Sequence, residues 1–196
     1  MASPAENLDV RQRILDAARA EFAERGFGAA SVRTIGEQAG VTAAMINYYF
    51  GGKQGLYDTV IDEAQQGLFV RLGSAAAEGG REGLPKRLAL AYFDFLTDER
   101  QLQRLLAREM LDHGADVRKR SKRIVGPLRQ LLEEHFGDRR VADQYAVSVF
   151  GAIAGYFLYE PVLGAFLGRD PFSKQSLAAR RAHVAELSSL LERNAP

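Results

Sequence analysis

The chain has 196 residues, of which 46% are hydrophobic and 26% charged, with 26 Lys and Arg against 25 Asp and Glu. Such a balanced, ordinarily apolar chain excludes disorder, and its length is enough for one large domain or two small ones around a real core. Without cysteine there is no disulfide framework, thiolate metal site or cysteine nucleophile, which fits a reducing compartment.

The N-terminus, MASPAENLDVRQRILDAARAEF, carries acids early and lacks the apolar run and small-residue cleavage site of a secretory signal, so a cytoplasmic location is expected. Apolar residues recur at three and four throughout, which predicts helices, while strand-like alternation is scarce. The first helix is expected over Val10–Arg25, with Ile14, Leu15, Ala18 and Phe22 on one face and Gly26 as its stop. Ser31 is an N-cap for a short second helix facing inward through Val32, Ile35 and Ala39. Gly40 ends it, and Thr42 caps a third helix from Ala43 to about Phe50. After Gly51-Gly52 a fourth, longer helix starts near Lys53.

Gly79-Gly80, Gly83 and Pro85 separate that helix from a fifth over Leu84–Thr97. His113-Gly114, Gly137-Asp138 and Gly168–Ser173 mark three further boundaries, and Gly126-Pro127 is expected to kink or split the seventh helix. The most apolar stretch, Tyr145–Gly168, is interrupted by Glu160 and Pro161. It reads as a buried helix rather than a span of about 20 apolar residues, so no membrane partner is expected. About nine helices result. They make an all-α chain with a three-helix N-terminal module over residues 1–52 and a larger helical bundle over 53–196.

Two short helices joined by a tight turn at Gly40 form a helix-turn-helix arrangement, whose second helix lays its N-terminal residues in a major groove. Ile35, Ala39, Val41, Ile46 and Phe50 fall where the mutual core is needed. Ala44, Asn47 and Tyr48 then lie on the opposite face, with Ala43 and Met45 in the first turn. No residue from Thr42 to Gly52 is charged. Alanine methyls permit close approach to bases and suit a thymine methyl, Asn47 suits a bidentate pair with adenine, and Arg33 reaches toward guanine. Tyr48 and Tyr49 offer hydroxyls to phosphate, and Lys53 begins a helix whose N-terminus favours the same anion. Six basic and six acidic residues between Met1 and Tyr57 leave the module without a net positive field. The salt dependence of binding should therefore be modest.

The stretch from Ile14 through Tyr57 resembles the DNA-binding domain of the tetracycline-repressor (TetR/AcrR) family. The resemblance rests on ILDAA, GFGAASVRTIG, AGVTAAMI and NYYFGGKQGLY in their combined spacing, and INYYFGGK is similar to the subset written I-N-Y-H-F-G-S-K. It implies that Arg33, Thr42, Ala43, Ala44, Asn47, Tyr48, Tyr49 and Lys53 match DNA-contacting positions. Several residues depart from the pattern. Gly36 stands where alanine is common, costing about 1 kcal/mol of helix preference. Ala44 and Met45 replace a frequent Gly-Thr pair, Tyr48 a histidine and Asn47 a tyrosine, so the operator sequence is not carried over.

One such head reads few base pairs, so a two-fold dimer is expected. Phe150 and Ile153 on the helix expected from about Arg140, and Val184, Leu187 and Leu191 on the last helix, are the interface candidates. Gly151 and Gly155 allow close helix approach, and the resemblance implies a four-helix interface. It also implies a pocket for a hydrophobic small-molecule effector in the body, with Tyr92, Phe95, Arg108, Met110, His113, Tyr145, Phe150 and Tyr156 as candidate lining. Aromatics at this spacing are more often plain core than a ligand box. The Arg118–Arg123 run reads as a solvated helix face.

Enzyme signatures are lacking. The three histidines are isolated and no HExxH occurs, so no metal or cofactor is expected, and neither GFGAAS nor GGKQ completes a nucleotide loop. The sequence thus predicts a ligand-responsive regulator, most often a repressor, that binds a near-palindromic operator as a dimer. An effector-independent architectural DNA-binding protein is the alternative.

Overall fold

The computed structural model describes residues 4–101, 103–105, 107 and 114–195, all helix or connection, with no strand among them. The helices are α1 (Pro4–Ala29), α2 (Val32–Ala39), α3 (Ala43–Phe50), α4 (Lys53–Ala77), α5 (Leu84–Asp98), α6 (Gly114–Phe136), α7 (Arg139–Leu158), α8 (Glu160–Leu167) and α9 (Lys174–Arg193). Further helical residues lie at 100, 101, 103–105 and 107. The all-α expectation holds.

Most boundaries follow from local chemistry. Gly26 takes φ 72° and ψ 171°, outside the helical region, and so ends the regular part of α1 after Arg25. Ser31, Thr42, Asp138 and Ser173 are extended residues whose side-chain oxygens accept first-turn N–H groups of α2, α3, α7 and α9. Several boundaries differ from the sequence reading, beginning with α1, which starts at Pro4 rather than Val10. α6 is not split at Pro127: the helix continues past it although the ring removes one backbone donor. The apolar stretch after Tyr145 is two helices, α7 and α8, divided at Tyr159 with Pro161 in the first turn of α8, where its missing N–H has no partner to lose.

The described residues fall into two compact units. The first comprises residues up to Gln66 with the described part of 100–107. Its core joins Ile14, Leu15, Ala18 and Phe22 of α1 to Ile35 and Ala39 of α2, Ile46 of α3, and Leu56, Val60 and Ile61 of α4. Glu63 of α4 fastens α1 from outside, pairing with Arg11 at 3.2 Å and Arg19 at 2.8 Å.

The second unit comprises residues 67–99 and 114–195. Its core is built from Leu72, Leu88, Phe93, Leu132, Val149, Ile153, Phe157 and Val184. Two bidentate pairs brace it, Arg181 on Asp94 at 2.7 and 2.8 Å, and Arg129 on Asp143. Arg87 donates to the carbonyls of Ala75, Gly80 and Glu82, placing a cation at the C-terminal end of α4.

Candidate nucleic-acid interface

The helix-turn-helix is held by its backbone. Gly40 adopts φ 68° and ψ 37°; its N–H donates to Glu37 O at 3.3 Å, and the Val41 N–H donates to Gly36 O at 2.9 Å. This crossed pair is a Schellman closure, which needs a left-handed residue at Gly40. Gly36 now has a reason: a Cβ there would meet the Val41 carbonyl oxygen at 2.8 Å. The residue that weakens α2 as a helix lets the turn fold back over it.

Sequence reasoning missed two residues that hold the same frame. Gly55, in the first turn of α4, leaves only 1.8 Å between a notional Cβ and the Phe50 carbonyl oxygen, so α3 and α4 approach there only through a glycine. Glu21 is 2% exposed; it accepts the Ser31 N–H at 3.1 Å and pairs with Arg25 at 3.5 Å, tying the start of α2 to α1. Spacing could mark Glu21 as inward, seven residues after Ile14, but not the Ser31 N–H that it accepts.

The α3 helix points Ile46 into the core, and its opposite face is open. Thr42, Ala43, Ala44, Asn47 and Tyr48 are exposed, Tyr48 at 84%, while Met45, Tyr49 and Phe50 are half-buried. The Tyr48 ring meets Tyr49 edge-on at 5.2 Å, and Tyr49 packs on the unit's core. Chemically this is a smooth surface of methyls, one carboxamide and phenol edges. It suits close approach to hydrogen-bonding, methyl-bearing edges.

The flanking cations are already positioned. Lys53 Nζ donates to Gly28 O at 3.2 Å and sits 4.8 Å over the Phe27 ring at the start of α4. Arg33 is exposed, and its Nε donates to Glu37 Oε1 at 2.9 Å; that bond and charge hold its pKa above the usual value. Arg33, Thr42, Ala43, Ala44, Asn47, Tyr48, Tyr49 and Lys53 therefore all belong to the first compact unit.

The body candidates divide. Arg108, Met110 and His113 lie outside the described residues. Phe95, Tyr145 and Tyr156 are buried, and Tyr92 meets Phe150 edge-on at 5.2 Å. Hydroxyls are satisfied within the chain: Tyr145 bonds the fully buried Ser188, and Tyr156 donates to Pro171 O. These rings fill space as core. One cavity in the same unit, of about 310 Å3, is lined by Tyr145 together with Val141, Gln144 and Leu191; another, of about 340 Å3 beside Arg71, Ser74 and Leu90, includes none of the candidates.

Ile153 and Val184 point into their own chain's core and leave no surface for a partner, whereas Phe150, Leu187 and Leu191 are half-buried. The exposed apolar face instead carries Val147 (71%), Leu158, Val162 and Phe166 (84%), with Leu190 exposed on α9. α7 is long and apolar enough to cross a membrane by length and composition. Its Tyr145, Val149, Ile153 and Phe157 nevertheless pack within the chain, as on a core helix.

Residues 14–60 match the family described as bacterial regulatory proteins, tetR family. The chain is similar to the probable HTH-type transcriptional regulator YttP of Bacillus subtilis, 33% identical over 106 residues, 53% of this chain and 51% of that protein. It thus spans about half of that relative's length. Its fold is similar to a TetR-like transcriptional regulator from Rhodococcus sp. RHA1, with a TM-score of 0.69, 21% identity and 93% of each chain covered. It is also similar to the transcriptional regulator FadR from Bacillus subtilis in complex with stearoyl-CoA, with a TM-score of 0.67, 20% identity, and 90% and 96% of the two chains covered. Over residues 14–60, therefore, the chain is similar to the tetR family of bacterial regulatory proteins.

Proposed function

We propose that this protein is a DNA-binding transcriptional regulator rather than an enzyme, acting in the cytoplasm as a homodimer on a near-palindromic operator. The observation that carries the reading is the bare, uncharged face of α3, backed by Ile46, with Lys53 poised at the next helix N-terminus. Arg33, Thr42, Ala43, Ala44, Asn47 and Tyr48 face the duplex, Asn47 and Arg33 reading bases, while Tyr49 and Lys53 hold phosphates. The recognition helix belongs with the I-N-Y-H-F-G-S-K subset. The division of labour is DNA reading by residues 1–52, with dimerisation and ligand response in 53–196.

Dimerisation uses the exposed face of α7 and α8 with α9, which sets two α3 helices about 34–36 Å apart in successive major grooves. A hydrophobic small molecule is the effector, a reading supported by the stearoyl-CoA complex of FadR. It enters by opening the aromatic cluster of Tyr92, Tyr145, Phe150 and Tyr156, and its effect travels along α4, which enters both units. Such a ligand changes operator affinity only if it binds the two head spacings unequally. Repression is the expected outcome of operator binding.

Selecting bound fragments from the source genome, followed by gel shift with and without stearoyl-CoA, tests the reading. Failure to retain any fragment sinks DNA binding. Equal affinity at saturating stearoyl-CoA removes induction by that ligand. The Tyr145 and Tyr156 hydroxyls, both bonded within the chain, favour a second reading, an architectural DNA-binding protein without effector; fragment binding with no thermal shift across a metabolite library would select it.

A further inference from the structure

We infer that Glu37 is a positioning residue for base reading: it holds one edge of the Arg33 guanidinium so that the two terminal amino groups form a fork for guanine. The inference rests on the reading of α2 and α3 as the DNA-contacting pair. Arg33 occupies the first turn of α2 and is 87% exposed; Glu37 lies one turn on and is 63% exposed. The bond between them runs from Nε to Oε1 at 2.9 Å, so the carboxylate holds the guanidinium through Nε rather than through its terminal amino groups.

The charge pattern separates this role from ordinary surface pairing. Arg33 and Glu37 are the only charged residues between Ser31 and Gly52, and they are bonded to each other. A carboxylate beside a cation whose task is sequence-independent attraction would cancel that attraction. Lys53, outside this segment, has no carboxylate bonded to it among the described residues, and it suits that task. Arg33 is left with little net field but a fixed orientation, and orientation is what a bidentate contact to guanine O6 and N7 requires. A free arginine side chain would lose its rotamer freedom on binding, whereas one already held loses less.

The experiment uses the full-length chain and duplexes selected from a library with a randomised centre. Dissociation constants are then measured by fluorescence anisotropy on the selected duplex, on its single-base substitutions and on random duplex. The wild type should discriminate one G·C pair in each half-site by about tenfold or more, and Arg33→Ala should abolish that ratio. Glu37→Gln should cut the ratio about threefold or more while tightening binding to random duplex by about the same factor. Glu37→Asp keeps the charge but shortens the reach, so it should lower the ratio and leave random-duplex affinity unchanged. Glu37→Gln added to Arg33→Ala should change the ratio no further.

A wild-type ratio in both Glu37 variants, with Arg33→Ala abolishing it, would overturn the positioning role alone. An equal loss on every duplex for Arg33→Ala would overturn base reading by Arg33, and the proposal with it. Failure of the wild type to enrich any duplex would instead refute the DNA-contacting reading of α2 and α3. Unchanged melting midpoints in the variants keep these outcomes apart from folding.

Discussion

Two exposed surfaces of this molecule present uncharged side chains, Ala43 to Tyr48 on α3 and Val147 to Phe166 on α7 and α8, yet they are made of different groups. On α3 the exposed side chains are small or carry a polar tip, Ala43, Ala44, Asn47 and Tyr48. On α7 and α8 they are bulky and aliphatic or aromatic, Val147, Leu158, Val162 and Phe166. Small residues with hydrogen-bonding tips match a hydrated, patterned surface such as base edges. Large apolar ones match a dry surface with the composition of a split core, as homodimers have. Backbone geometry differs in parallel. In the α2–α3–α4 region a Cβ at Gly36 or Gly55 would run into backbone carbonyl oxygen, while Gly151 on α7 has open space around its notional Cβ.

The largest expected effect tests that geometric contrast. Gly55→Ala drives a methyl into the Phe50 carbonyl and should cost about 3 kcal/mol or more, read as loss of hydrogen-exchange protection across α1 to α3. Gly151→Ala should be neutral or gain up to about 1 kcal/mol of helix preference in the monomer. Similar effects from the two substitutions would erase the distinction.

The chemical contrast is tested next. Val147→Glu places an unpaired charge in the aliphatic face and should weaken self-association at least about tenfold in sedimentation equilibrium. An unaltered dimer would remove α7 and α8 from the interface. On the other surface, Asn47→Ala should lose about 1–3 kcal/mol at one base pair and little elsewhere. A uniform loss across operators would make Asn47 a phosphate contact. Lys53→Ala should behave in that uniform way.

A smaller effect concerns the second unit's core. Burial pushes the Tyr145 phenol up to about 12, outweighing the Ser188 hydrogen bond that acts in the opposite direction. An unfolded tyrosine titrates near 10. The unfolded chain therefore loses its proton first, and the stability present below pH 10 is lost as pH rises toward 12. Tyr145→Phe should cost about 1 kcal/mol at neutral pH, by leaving the Ser188 hydroxyl unpaired, and should flatten the alkaline limb of the unfolding curve. An alkaline limb as steep as that of the wild type would assign it to other groups.

How much of this was legible depended on whether the cause was local. Ser31 and Thr42 as caps, and Gly40 and Gly51 as stops, were readable because each acts through bonds within a turn of itself. The outward face of α3 was readable from 3.6-residue spacing alone. Gly36 looked like a weak point because its partner is the Val41 carbonyl, brought over it only by the turn. Ile153 and Val184 looked like interface residues because periodicity marks an apolar stripe without saying which molecule covers it.

The sequence by itself determined the helical class, the capped α2–α3 pair and the residues presented outward on α3, since hydrogen bonding and side-chain direction within a helix repeat over a few residues. Only the tertiary structure decided that Gly55 and Glu21 hold the frame, that Tyr145 and Tyr156 spend their hydroxyls inside the chain, and which apolar residues remain uncovered. The reason is physical: burial and close approach depend on what a fold brings opposite each side chain, and residues distant in sequence supply it.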